Sequence, residues 1–96
     1  MTQALRQQRT AIDELDLELL NLINRRAQAV AEIARLKTEN NLPVSDEARE
    51  SAILNAVVER NAGPLNAASL KRIFGSIIAE SRRLQYHLGT ESQCSK

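Results

Sequence analysis

Arg26, Lys37, Arg49, Glu50, Ser81 and Gln85 fall within or beside the apolar stripes of three predicted helices. Burying a charge is costly unless something pairs with it, and a plain helical bundle has no use for such groups on its inner faces. Their chemistry suits gripping an anion. The eleven steps from Arg26 to Lys37 advance a helix by only about 20° beyond whole turns. Val30 and Ile33 lie between, so both cations interrupt one apolar face. Asp46, Arg49, Glu50 and Ile53 follow i, i+3, i+4, i+7, which sets a carboxylate, a guanidinium and a second carboxylate beside the inner side of another helix. Ser81 and Gln85, one turn apart, continue the stripe of Ile73, Ile77 and Ile78 toward Leu88. Each feature taken singly has a plainer account. Arg26 and Lys37 can snorkel, with packed stems and wet heads. The acid–base run can be a solvated face, Ser81 can back-bond to its own helix, and Gln85 can cap the end of a bundle. Their coincidence on three helices favours a site.

Three elements must hold these residues. Apolar positions recur from Leu5 through Ile12, Leu15, Leu19, Leu22, Ile23, Val30 and Ile33 to Leu36, with no Gly or Pro before Pro43, which predicts one long helix from about Ala4. Asn40, Asn41 and Pro43 end it. Ser45, Asp46 and Glu47 open a second helix, whose N-terminal dipole favours those acids, and it runs to about Asn61. Ala62, Gly63 and Pro64 make the next break, with Asn66 as N-cap of a third helix and Gly89 as its C-cap. Gly75 inside that third helix costs roughly 1 kcal/mol against Ala, so close helix packing is expected there.

The length of the first helix sets the assembly. Its ~36 residues would extend roughly 54 Å, whereas a compact monomer of this size has a radius of gyration near ~13 Å. The two shorter helices cover only part of its circumference. An intertwined homodimer of three-helix chains is therefore expected, against the rival of a kinked first helix folding into a monomeric bundle. Arg9 lies seventeen residues, or roughly 26 Å, from Arg26 along the same helix, too far for one small ligand to bridge. In an antiparallel dimer Arg9 of one chain can approach Arg26 and Lys37 of the other, giving two equivalent sites. Three cations suit a small dianion.

Composition narrows the classes. The 96 residues are 43% hydrophobic and 26% charged, which describes one globular domain over residues 1–89 with a polar tail over 90–96. Tyr86 and Phe74 are the only aromatics, so the core must come from Leu, Ile, Val and Ala, as suits interdigitating helices. A formal charge of +1 with interspersed signs gives no basic face, so nucleic acid is not an expected partner. The lone Cys94 in the tail asks for no oxidising compartment, and His87 lies far from it in helical register, so no metal is expected. No segment approaches the ~20 apolar residues of a membrane span, and the charged opening residues do not look like a signal peptide. The expected location is cytoplasmic.

At these residues the chain resembles the all-helical chorismate mutases, the AroQ class, over residues 4–88. The resemblance rests on RTAIDELD at Arg9–Asp16, LLNLINRR at Leu19–Arg26, Lys37, PVSDEARE at Pro43–Glu50 and IIAESRRLQ at Ile77–Gln85, in that order. It implies an intertwined all-α dimer that converts chorismate to prephenate in aromatic amino-acid biosynthesis, by a [3,3] rearrangement without a cofactor. The substrate contacts it implies are Arg9 of the partner chain, Arg26, Lys37, Asp46, Arg49, Glu50, Ser81 and Gln85. Of the adjacent Arg25 and Arg26, the second shares a face with Lys37 and is the one assigned. On the implied roles, Arg9 and Arg26 each grip a carboxylate, and Lys37 and Gln85 donate to the ether oxygen as negative charge builds there. Glu50 accepts from the ring hydroxyl, Arg49 orients the acids and Ser81 donates to a carboxylate. Two alternatives stay open: isochorismate pyruvate lyase, which is similar in fold and also breaks an ether bond, and a noncatalytic helical dimer that senses the ligand.

Overall fold

The computed structural model describes the backbone of residues 2–94 and the side chains of residues 2–89. It is all-helical over that range: α1 spans Gln3–Glu39, α2 Glu47–Arg60 and α3 Ala67–Cys94. α1 runs unbroken for 37 residues, which excludes the kinked alternative. Thr2 starts it by accepting the Leu5 N–H at 3.1 Å.

The end of α1 is built by its sequence. Asn41 takes a left-handed φ of 55°, a conformation that Asn tolerates better than most residues. Its N–H then reaches the Thr38 carbonyl at 3.3 Å while the Leu42 N–H reaches that of Lys37 at 2.8 Å, the paired closing bonds of a Schellman motif. The turn sends Pro43 and Val44 back toward the helix face they have just left. Asp46 then caps α2, its Oδ1 accepting the Arg49 N–H at 3.0 Å, with Glu47 and Glu50 in the first turn complementing the dipole. Asn66 caps α3 through a 2.8 Å bond from the Ser69 N–H.

One expectation about glycine is corrected. Gly89 does not stop α3, which continues to Cys94. No glycine here has a positive φ, and no proline follows to force a break. Gly75 marks no close approach within the chain either, since a Cβ built there would meet nothing within 4 Å. The side chain of Cys94 and the end of the polar tail lie outside the described residues.

α1 and α2 each pack on α3, and their backbones do not approach one another closely. The packed centre is correspondingly small: among the described residues Val30 and Ala34 of α1 and Ile78 of α3 are the buried apolar ones. The chain extends 59 × 29 × 14 Å with a radius of gyration of 17.3 Å, well above the ~13 Å of a compact globule of this length. Along α1, Ile12, Leu15, Leu19 and Leu22 are each more than half exposed. The expectation that polar groups are buried on the inner faces is also corrected. Among the described residues no polar side chain is fully buried in the single chain. Among the described residues, no helix is long and apolar enough to cross a membrane.

Candidate active site

The same register recurs on all three helices. Arg26, Val30, Ile33 and Lys37 on α1 are spaced i, i+4, i+7, i+11. Asp46, the N-cap of α2, leads into Arg49, Glu50 and Ile53 at i+3, i+4 and i+7. Ile78, Ser81, Arg82 and Gln85 on α3 repeat that second spacing. Each set lies on one helix face, and with Val44 they line a single cleft of about 290 Å³. Arg26, Lys37, Asp46, Arg49, Glu50, Ser81 and Gln85 are thus brought together, the first two and Glu50, Ser81 and Gln85 half-buried, Asp46 and Arg49 exposed. Arg9 is not among them. It stands on the exposed N-terminal half of α1, about 26 Å from Arg26 along the helix. Arg25 is exposed and does not line the cleft.

Lys37 is held from two elements. Its Nζ donates to the Val44 carbonyl at 2.8 Å and to Gln85 Oε1 at 3.1 Å. The Schellman turn supplies the first contact by folding Val44 back over α1. An ammonium has three N–H bonds, so one stays available. With its oxygen committed to Lys37, Gln85 has its amide N–H bonds left to donate.

Arg26 Nη1 donates to Ser81 Oγ at 2.5 Å, and that hydroxyl donates in turn to the Ile77 carbonyl at 2.8 Å. The plain reading of Ser81, bonded back to its own helix, therefore holds together with a place in the site. Its single proton goes to Ile77, and Ser81 accepts from Arg26 and fixes it. Arg49 does not orient the acids. Asp46 is occupied with the Arg49 backbone N–H, while Glu50 is gripped from the other helix by Arg82. Arg82 Nη2 meets Glu50 Oε1 at 2.9 Å and Nε meets Oε2 at 3.2 Å. That carboxylate, by hydrogen bond first and by charge second, raises the Arg82 guanidinium above its ordinary value against a small opposing effect of burial.

Sequence reading missed Arg82 and the Val44 carbonyl. The signal for Arg82 was present, since it follows the buried Ile78 by four residues as Ser81 follows it by three. Nothing in the sequence marks a backbone carbonyl as a ligand for Lys37. No group of three or more His, Cys, Asp or Glu among the described residues could hold a metal ion.

Charge decides what the cleft can take. Arg26, Lys37, Arg49 and Arg82 face two carboxylates, Asp46 and Glu50, leaving a surplus of two positive charges. Arg26 and Lys37 are held by neutral acceptors, so their charge is undiminished. Such a site attracts a small dianion.

Three helices converging polar side chains on a cationic cleft define a small all-α domain for an anionic organic ligand. Within that class, residues 8–86 match the family described as chorismate mutase type II, and the chain belongs to it. It is 36% identical over 86 residues to a bifunctional chorismate mutase/prephenate dehydratase of Stutzerimonas stutzeri, covering 83% of this chain and 23% of that protein. A bifunctional protein of the same description from Neisseria gonorrhoeae is 39% identical over 72 residues, covering 75% of this chain and 19% of its own length. The chain thus spans about a quarter or less of these relatives. Solved structures match along nearly their whole length. Chorismate mutase from Thermus thermophilus, in its form II structure, superposes with a TM-score of 0.86 at 31% identity, covering 88% of this chain and 96% of that one. Chorismate mutase from Helicobacter pylori in complex with prephenate gives 0.85 at 29% identity, covering 94% and 98%.

Proposed function

We propose that this chain, as an intertwined homodimer, isomerises chorismate to prephenate in aromatic amino-acid biosynthesis, each cleft being completed by Arg9 of the partner chain. The observation that carries the reading is the surplus of two positive charges in a cleft whose other walls are Val30, Ile33, Ile53 and Ile78. Chorismate is a dianion with an apolar ring. The dimer is supported by the exposed Ile12, Leu15, Leu19 and Leu22 on the half of α1 that carries Arg9.

A [3,3] rearrangement asks for shape and field, with no nucleophile and no base. Arg26 and the partner's Arg9 each hold a carboxylate, restricting the substrate to a compact conformer with its side chain over the ring, which is an orientation effect. As the C–O bond breaks, negative charge grows on the ether oxygen. The remaining N–H of Lys37 and an amide N–H of Gln85 converge there, and because Lys37 is already held by Val44 and Gln85 by Lys37, little reorganisation is needed when the charge appears. Glu50 accepts from the ring hydroxyl. Arg49 lies at the exposed rim, where it approaches a carboxylate, and Asp46 fixes the start of α2.

The test is direct. Incubated with chorismate, the purified protein should deplete its ultraviolet absorbance and yield prephenate, identified by acid conversion to phenylpyruvate. No turnover of chorismate, with pyruvate released when isochorismate is supplied in its place, would move the function to the lyase. Binding without turnover would make the protein a sensor.

A further inference from the structure

We infer that Arg82 is a positioning residue whose two-pronged grip on Glu50 holds the acceptor for the substrate's ring hydroxyl; this rests on the chorismate mutase reading of the cleft. Ion pairs at Arg35 and Arg83 join neighbours within α1 or within α3, whereas the Arg82–Glu50 pair links different helices. It reaches from α3 to α2, the helix whose backbone closely approaches α3 alone among the other helices.

Geometry separates holding from mere stapling. Arg82 uses Nε and Nη2, one edge of its planar group, on the two carboxylate oxygens, and a fork of this kind fixes the plane of the carboxylate as well as its place. Each oxygen keeps a further lone pair. Glu50, with its side chain 25% exposed, therefore still offers an acceptor to the cleft while its flexible stem is already ordered. The ordering that binding would otherwise demand is done in advance. Arg82 is itself spent in this contact, so the anion-gripping charge belongs to Arg26, Lys37 and Arg49. A lysine would keep the charge and lose the fork, since it acts as a point charge without a plane.

The experiment is a double-mutant cycle on the full chain with chorismate as substrate, using Arg82→Met, Glu50→Ala and the pair together, with Arg82→Lys alongside. Arg82→Met should lower kcat/KM by about tenfold or more, and Glu50→Ala by at least as much. The double variant should match Glu50→Ala within about twofold, because Arg82 has nothing to position once the carboxylate is gone. Arg82→Lys should fall between wild type and Arg82→Met. If Arg82→Met does not fold by circular dichroism, Arg82→Lys carries the same cycle. Losses that multiply, or a lowered Tm with unchanged kcat/KM, would reduce the pair to a staple and overturn the inference. A wild-type protein that turns over no chorismate rejects the parent reading first, and this one with it.

Discussion

The two halves of α1 obey the same periodicity and meet opposite fates. From Arg26 to Lys37 the inner face is partly covered by α3, with Val30 and Ala34 buried and both cations tied down. From Leu5 to Ile23 the apolar stripe continues without a break, yet Ile12, Leu15, Leu19 and Leu22 stand more than half exposed. At roughly 25 cal/mol per Å² of apolar surface, a stripe of that length is a large unclaimed stabilisation. One chain therefore contains the covered part of the cleft and only part of the fold. The half with the ligand groups has its cover in the same chain; the half with Arg9 does not.

Breaking that second half should have the largest effect. Leu15→Glu combined with Leu19→Glu places two carboxylates in the exposed stripe, and we expect a monomer by analytical ultracentrifugation with turnover below detection. A fully active monomer would sink the proposed assembly. Mixing sharpens the same point. Arg9→Ala and Lys37→Ala proteins, each nearly inactive alone, should recover about a quarter of wild-type activity when unfolded and refolded together in equal amounts, because half the dimers would be mixed and each would carry one intact site. No recovery would mean that Arg9 and Lys37 do not meet across chains.

Within the covered half, Lys37→Ala should cost at least ~3 kcal/mol of transition-state stabilisation, a hundredfold or more in kcat, by analogy with removal of an oxyanion donor. Near-normal turnover would put the chemistry elsewhere. Gln85→Glu is graded by pH. The amide donates at any pH, whereas a carboxyl must be protonated to donate, and the Lys37 ammonium now 3.1 Å from Gln85 Oε1 would favour the ionised form. Activity of this variant should therefore be low at neutral pH and rise as pH falls, with wild type flat over the same range. Parallel pH profiles for the two proteins would remove Gln85 from the ether oxygen.

How much of this was legible follows the same division. The cleft residues of α1 could be read because 3.6-residue periodicity links Arg26 to Lys37 without any tertiary knowledge. The cap Asn66 and the opening of α2 among Ser45, Asp46 and Glu47 were legible for the same local reason. The partner of Glu50 was not, because Arg49 is its neighbour in sequence while Arg82 is its neighbour only after α3 has folded against α2. The back-bond of Ser81 to its own helix was legible as one of two readings, and the Ile77 carbonyl one turn back takes that proton. Burial was overestimated for one physical reason: a stripe reports which face seeks cover, and α1 has more such face than α2 and α3 can cover.

Gly75 offers the smallest effect and bears on where a second chain sits on α3. A glycine inside a helix is destabilising by roughly 0.5–1 kcal/mol against alanine, and nothing in the chain lies within 4 Å of the Cβ that alanine would add. The added methyl therefore meets no clash, and the unfolded chain loses freedom that folding no longer has to remove. We expect Gly75→Ala to raise stability by about 0.5–1 kcal/mol in urea denaturation, with unchanged turnover. The sign is informative because the open space belongs to one chain alone. A loss of stability, with a weaker dimer on dilution, would put a partner helix against Gly75 and extend the shared surface from the exposed half of α1 onto the middle of α3.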